Sequence, residues 1–339
     1  MNATMSLENT KHHPVMLNQI LSIISPQHGG MFIDCTFGGG GYSKAILKFP
    51  NTKVIAIDRD KIAKKFANNI SKEFPSRFQF FQNKFSYLNK IVESHHNPRA
   101  IIFDLGLSSF QIGDSKRGFS FKSEGPLNME MGINRCSVFD AVNKLGKDDL
   151  AKIIKILGEE KDAKYIANEI IKYRIKKPIE KSSELVAIIK KAKRKHNNFK
   201  RDPSTKTFQA LRIYVNKELT ELVEGLFSAT KLLKNNGILI VVNFHSLEDR
   251  IVKNFIQFYS SFNKNPSRYL PKINDQKNLD LFKKSTKKPL RPEQKEIYKN
   301  VRSRSAKLRY AIRNTNSFFY SKEFEKKFEN YLKIEELRL

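Results

Sequence analysis

Short apolar runs that end at acidic residues or glycines alternate with stretches of helical spacing through the first third of the chain. MFIDCT (31–36) leads into Gly38–Gly41 and predicts a buried strand, then a helix through Lys44–Lys48. KVIAID (53–58) predicts a second strand. The stretch 59–73, with Ile62, Phe66 and Ile70 on one face, predicts a second helix. FQFFQN (78–83) and AIIFDLG (100–106) predict strands three and four. Such alternation predicts an α/β fold with a parallel sheet covered on both faces, and ligands beyond the carboxyl ends of its strands.

The rhythm breaks at residues 107–136, which are rich in Gly, Ser and Pro and read as a long functional loop. From about Val138 to Arg201 the spacing is helical throughout, apart from a break at Pro178. A helix-only block inside a strand–helix alternation predicts an inserted subdomain. The predicted division is therefore a discontinuous sheet domain (11–106 and 205–314), a loop plus helical insertion (107–204) and a helical tail (315–339). One amphipathic helix is predicted over Thr207–Leu233. GILIVVNFHS (237–246) resumes the sheet with a helix behind it over Leu247–Phe258, and AKLRYAIR (306–313) supplies a last strand near an edge. Residues 263–300, rich in Lys, Pro and Asn, read as loop.

Composition narrows the class. Of 339 residues, 40% are hydrophobic and 11% aromatic, enough to build a core and exclude wholesale disorder. Two cysteines, Cys35 and Cys136, supply neither a disulfide framework nor a four-thiolate site, which points to a reducing compartment. No apolar run is long enough to span a bilayer, and the first residues lack a signal peptide's apolar core. A soluble cytoplasmic protein is expected. The net charge is +29, and residues 172–201 and 261–313 together hold 22 of those charges. That clustering favours a polyanion-binding surface for nucleic acid over an anionic membrane or a merely lysine-rich composition.

The turn after the first strand carries the first chemistry. Glycines at 38–41 let a ligand approach backbone amides at a helix N-terminus. Asp58, at the end of the second strand, lies 20 residues beyond Gly38, a spacing suited to the ribose of an adenosine. A dinucleotide fingerprint needs a third glycine, and Ser43 and Lys44 stand in those positions. S-adenosylmethionine, an adenosine without a pyrophosphate, fits the pattern better than a nicotinamide dinucleotide. Asp104 ends the fourth strand at the same rim, where it serves the ligand or braces the loop.

Seven blocks in order carry a resemblance: HHPVML (12–17), FIDCTFGGGGYS (32–43), FDLGLSSFQIGDSKRGFSF (103–121), GPLNMEM (125–131), STKTFQALRIYVNKEL (204–219), NFHSLEDRIVK (243–253) and RSRSAKLRYAIR (302–313). Over residues 11–314 the chain resembles the bacterial 16S rRNA cytosine-N4 methyltransferase family (RsmH/MraW). The resemblance implies a Rossmann-like class I methyltransferase sheet with an inserted all-helical subdomain. It further implies transfer of the methyl group of S-adenosyl-L-methionine to the N4 amine of a P-site cytosine in the decoding centre of the small ribosomal subunit. Carried over by position, Gly40, Gly41, Tyr42, Asp58, Phe85, Asp104 and Gln111 would contact the cofactor. Three residues depart from the family pattern: Tyr42 stands where the family has His, and Asn128 and Glu130 replace an acid and an arginine in its PLDMRM block.

The cytosine amine is a poor nucleophile because its lone pair is delocalised, so an acceptor that favours pyramidal nitrogen assists transfer. Asp104 is the expected acceptor. Asn243 and His245, after the fifth strand, are further catalytic candidates, although a histidine there equally serves as a hydrogen-bonded structural residue. No metal is expected, since no ligand spacing suggests one. Lys190, Lys191, Lys193, Arg194 and Lys195 on the insertion are expected to hold RNA phosphates. Lys287, Lys288, Arg302, Arg304 and Lys307 are assigned the same task. The competing class is a catalytically silent RNA-binding or ribosome-assembly factor on the same fold, which the three departures would favour.

Overall fold

A computed structural model of the chain describes residues 14–93, 96–120, 124–134, 136–193, 202–260 and 280–339. Seven strands form one sheet: β1 (Gly30–Asp34), β2 (Thr52–Asp58), β3 (Phe78–Gln82), β4 (Ala100–Asp104), β5 (Ile238–Asn243), β6 (Phe282–Ser285) and β7 (Lys307–Arg313). Their spatial order is β3-β2-β1-β4-β5-β7-β6. The first five strands are parallel, and β7 pairs antiparallel with both β5 and β6. The order reverses between β1 and β4, so a crevice opens beyond their carboxyl ends. Asp34, Asp58 and Asp104 each end a strand on that side.

Helices α1 (Leu17–Ile24), α2 (Gly41–Leu47) and α3 (Ala63–Glu73) belong to one side of the sheet. There Ile20, Ile46 and Ala67 pack with Phe32, Val54, Ile102 and Ile240. Alternation along the same strands sends Ile33, Ile55, Phe103 and Val241 to the opposite face. Short helices α4 (Leu88–Ile91) and α5 (Ser109–Gly113) follow β3 and β4. The stretch 138–192 holds α6 (Val138–Lys144), α7 (Lys147–Leu157), α8 (Ala163–Arg174) and α9 (Ser182–Ala192). Its buried Leu150, Ile154, Ile166 and Ile189 continue the hydrophobic cluster of the second sheet face.

The stretch Thr207–Leu233 is two helices rather than one, α10 (Thr205–Asn216) and α11 (Glu218–Leu232). Lys217 between them adopts φ 51°, a left-handed conformation that ends one helix and starts the next. Periodicity did not reveal the break because apolar residues recur on both sides of it. Helix α12 (Ser246–Phe258) follows β5 as predicted. The stretch read as loop, 263–300, falls partly on residues outside the described set. Its described part holds β6 and helix α13 (Gln294–Lys299). FKKS lacks the apolar alternation of a half-buried strand, and an edge position tolerates exposed lysines.

The tail forms α14 (Lys322–Glu335), which buries Phe324 against Phe227 and Phe255, and Phe328 against Phe324. Fully buried Glu335 caps α11: its carboxylate accepts N–H bonds from Leu219 at 2.9 Å and Thr220 at 2.8 Å, and the Thr220 hydroxyl at 2.6 Å. Burial raises its pKa to about 8 despite those donors. Because Glu218 opens the capped turn, the tail fixes a helix that reaches the crevice. Glu335→Ala is expected to cost on the order of 2 kcal/mol, read as a lower urea midpoint at an unchanged slope.

Candidate active site

Beyond β1, β2 and β4 lies a cleft of about 1230 Å³ of empty space, its open mouth included. The glycine turn forms one wall. Gly38, Gly39 and Gly41 line the cleft, whereas Gly40 does not. Gly40 instead caps α2 at φ 80°, and a Cβ there would stand 2.5 Å from Ile70 and 2.8 Å from Phe37. Its absent side chain allows the turn to close. Asp58 holds the same turn: one carboxylate oxygen accepts the Gly38 N–H at 2.7 Å and the other the Asp60 N–H at 2.8 Å. Burial raises its pKa to about 6. Each oxygen keeps a second lone pair, so ribose hydroxyls can be added without breaking these bonds.

Asp104 stands at the centre. Its Oδ1 is buried and meets no hydrogen-bond partner among the described residues. Its Oδ2 lies 3.3 Å from the Tyr42 hydroxyl, which is itself 2.5 Å from the Val15 carbonyl. One phenolic proton serves only one of these, and the shorter contact takes it. The Asp104 contact is then satisfied when the carboxyl carries the proton. Burial pushes Asp104 up to about 8, and nearby Asp34, Glu248 and Glu296 push in the same direction. Tyr42 is thus a buried post beside Asp104 and keeps its phenol well above the ordinary range by burial.

Phe85 and Gln111 also line the cleft. Phe85 meets Phe103 edge-on at 5.3 Å. The Gln111 carbonyl accepts the Ser108 N–H at 2.9 Å, and its amide donates to Asp60 at 2.7 Å, so its rotamer is set from both ends. Arg117 reaches the same Asp60 oxygen at 2.5 Å.

The lining also includes Arg59, Glu218, Glu221, Phe244, Glu248, Asn300 and Arg302, of which only Arg302 was singled out from sequence. The NKEL and FHSLEDR blocks hold Glu218, Phe244 and Glu248. Burial alone would raise Glu248, but His245, the Phe244 N–H and Arg212 outweigh it and hold the carboxyl below its usual range. Five acids (Asp58, Asp104, Glu218, Glu221, Glu248) line the cleft against two arginines, in a chain of net charge +29. Arg212 pairs Glu218 and Lys84 pairs Glu221 at 3.0 Å, and the remaining excess of acids favours a cationic ligand centre.

Five expected roles are corrected by geometry, the first being the cofactor contact of Gly40, which caps α2 and does not line the cleft. His245 and Asn243 do not line the cleft. His245 caps α12, with Nδ1 accepting the Glu248 N–H at 3.4 Å and Nε2 at 3.1 Å from Glu248 Oε1. Asn243 ends β5 fully buried, and neither polar atom of its side chain bonds a described residue. Lys193 is 6% exposed and spends its ammonium on Glu160 at 2.7 Å, so it is not free for phosphate. Lys307 pairs with Asp249 at 2.8 Å, beside Arg309 on the other oxygen at 2.7 Å. Arg194 and Lys195 lie outside the described residues. Lys190, Lys191, Lys287, Lys288, Arg302 and Arg304 are exposed, with Lys191 also 2.9 Å from surface Glu169.

Among the described residues, Glu218, His245 and Glu248 bring ligand-type atoms within 4.8 Å of one another. Arg212 forks onto both Glu218 oxygens at 2.8 Å, and Glu248 accepts the Phe244 N–H at 2.9 Å. Hydrogen bonds thus fasten the two carboxylates, while buried His245 Nε2 meets no hydrogen-bond partner among the described residues. No described helix is long and apolar enough to cross a membrane.

A parallel sheet reversing at β1/β4, a glycine turn under the second strand's acid, and an acid-lined cleft define a Rossmann-like class I methyltransferase. The chain belongs to the MraW methylase family, whose pattern matches residues 9–314. It is 43% identical over 310 residues to the ribosomal RNA small subunit methyltransferase H of Ehrlichia canis (strain Jake), covering 89% of this chain and 99% of that one. The protein of the same name from Afipia carboxidovorans is 40% identical over 315 residues, covering 92% of this chain and 93% of its own. That from Wolbachia sp. subsp. Drosophila simulans is 42% identical over 303 residues, covering 88% and 97%. The cofactor is S-adenosylmethionine, and the cleft fits it: buried Asp104 Oδ1 stands without a described hydrogen-bond partner, and the lining contains more acids than arginines, as a sulfonium favours.

Proposed function

We propose that this protein methylates the N4 amine of a P-site cytosine in the 16S rRNA of the small ribosomal subunit, acting in the cytoplasm. The names of its relatives support the RNA, and its exposed basic residues match a polyanion. The observation that carries the chemistry is Asp104 Oδ1, an acceptor with no described partner at a strand end inside the cleft.

In this reading Gly41, Tyr42, Asp58, Phe85 and Gln111 hold the cofactor, whose sulfonium supplies an electrophilic methyl group. Asp58 accepts from the ribose, Gly38 and Gly39 leave room for close approach, and Phe85 gives an apolar surface. Asp104 accepts a hydrogen bond from the amine, which favours pyramidal nitrogen and holds it in line. Its raised pKa lets it take the proton that the amine sheds. The cytosine must leave its stack to arrive, and a loop nucleotide costs least to extrude.

Lys190, Lys191, Lys287, Lys288, Arg302 and Arg304 hold phosphates. Six such contacts at a slope of about −0.7 each lower affinity a few hundred-fold between roughly 50 and 200 mM salt. A filter-binding titration on small-subunit RNA should show that loss, with Lys190→Gln/Lys191→Gln flattening the slope by about 1.4. A salt-independent affinity would remove the phosphate contacts. The function itself is tested by mapping N4-methylcytosine on small-subunit RNA after incubation with protein and S-adenosylmethionine. One methylated cytosine at the decoding centre is the expected result, and methylation elsewhere or none overturns the assignment.

A further inference from the structure

Tyr298 is 90% exposed, more than any other large hydrophobic side chain described. It sits on α13, which is anchored from its other side: Glu296 accepts the Met16 N–H at 2.7 Å, and Ile297 is half-buried. Lys295, Tyr298 and Lys299 recur at i, i+3 and i+4, so they share the outer face of the helix, and all three are exposed. The chain then passes directly to Asn300 and Arg302, which line the cleft. That junction is braced, because the Asn300 side chain accepts the Arg302 N–H at 3.2 Å and its carbonyl accepts the Ser303 hydroxyl at 2.7 Å. Residues 287–304 carry seven basic and two acidic side chains.

The ring makes no hydrogen bond or ring contact with a described residue. Charge alone would be served by lysines, and a lone aromatic ring is too small for a membrane or an apolar interface. A flat ring held on a braced helix among cations matches one chemistry best, a nucleobase stacked on it with phosphates on the flanking ammonium groups. We propose that Tyr298 is a stacking platform for a nucleotide of single-stranded RNA next to the one that enters the cleft. Lys295, Lys299 and Arg302 take the adjoining phosphates. This deepens the proposed function and rests on its reading of RNA as substrate.

The chain contains no tryptophan, so Tyr298→Trp creates a protein whose single indole reports on the platform. Adding an eight-residue oligocytidylate should quench its emission, while inorganic polyphosphate, which has charge but no bases, should not. Tyr298→Ala should weaken oligocytidylate binding roughly ten-fold and Tyr298→Phe should stay within about twofold of the parent. Unquenched emission with bound oligocytidylate, absent binding, or equal quenching by polyphosphate would overturn the platform. Equal quenching by poly-glutamate would assign the ring to an acidic protein partner and overturn it too. None of these readouts requires methyl transfer. Stacking without methylation of any ribosomal RNA removes the proposed function alone, and methylation without stacking removes only the platform.

Discussion

Asp104→Asn is expected to lower kcat/KM for methyl transfer by about 10²-fold or more while making the protein no less stable. The substitution keeps the shape and removes the charge. At present that charge is disfavoured by complete burial and by three neighbouring acids, which together raise the pKa to about 8. Two pH effects follow. A folded-state pKa above the unfolded value means that the native state holds the extra proton between about pH 4 and 8. Stability therefore falls as pH rises through that window, and Asp104→Asn removes this contribution to the slope. Catalysis runs the other way, because the ionised carboxylate is the form that faces a sulfonium and accepts from an amine. The kcat/KM for cofactor should rise with pH up to about 8, as the free enzyme's carboxyl titrates, and the variant should lose that limb. Paired urea melts and initial rates from pH 6 to about 9 check both.

Asn216→Ala is expected to be the most destabilising single polar substitution, on the order of 3 kcal/mol, with a fall in cofactor affinity. Asn216 is 1% exposed, yet all of its polar capacity is used. Its side-chain oxygen accepts the Met131 N–H at 2.8 Å and the Asn134 amide at 2.6 Å. Its amide donates to the Met129 carbonyl at 2.8 Å and the Arg212 carbonyl at 2.9 Å. Its own carbonyl accepts Arg59 at 2.9 Å, and Arg59 also holds Ile133 and Asn134. The loop it staples contains Met129 at φ 54°, a left-handed conformation that costs a side-chain-bearing residue strain, and Gly132 at φ 115°, which glycine adopts freely. Truncation leaves buried backbone groups unpaired and releases Met131 of the cleft wall and the Asn134 amide, the latter a partner of Arg59, while the Asn216 main-chain carbonyl still holds Arg59 itself. A urea melt with calorimetry of cofactor binding measures the two losses together.

The same loop holds both substitutions in the PLNMEM block. Its fastening is largely backbone: Arg117 grips the Glu130 carbonyl at 2.6 Å, not the side chain. That explains how a reversed charge at 130 leaves this bond available.

How far the sequence could be read depended on whether a signal was local. Strands β1 to β5 were legible because each is a short apolar run bounded by turn residues, and Asp58 and Asp104 were legible because they end such runs. The break at Lys217 was not, since a left-handed lysine leaves no mark in the apolar spacing. Residue type could not separate the lysines: Lys190 and Lys193 sit three apart on one basic stretch, yet one faces solvent and the other is buried on Glu160. The acidic lining escaped for a related reason. Glu218, Glu221 and Glu248 come from two helices whose meeting at the cleft depends on tertiary packing. Asn243 and His245 lie at the right strand end, but their side chains do not line the cleft.

The most direct measurement is a crystal structure of the protein grown with S-adenosylmethionine. The account requires the ribose on Asp58, the adenine near Phe85 and Gln111, and the sulfonium methyl facing Asp104 in open space large enough for a pyrimidine. A cofactor bound with its methyl turned away from Asp104, or bound outside this cleft, would contradict it.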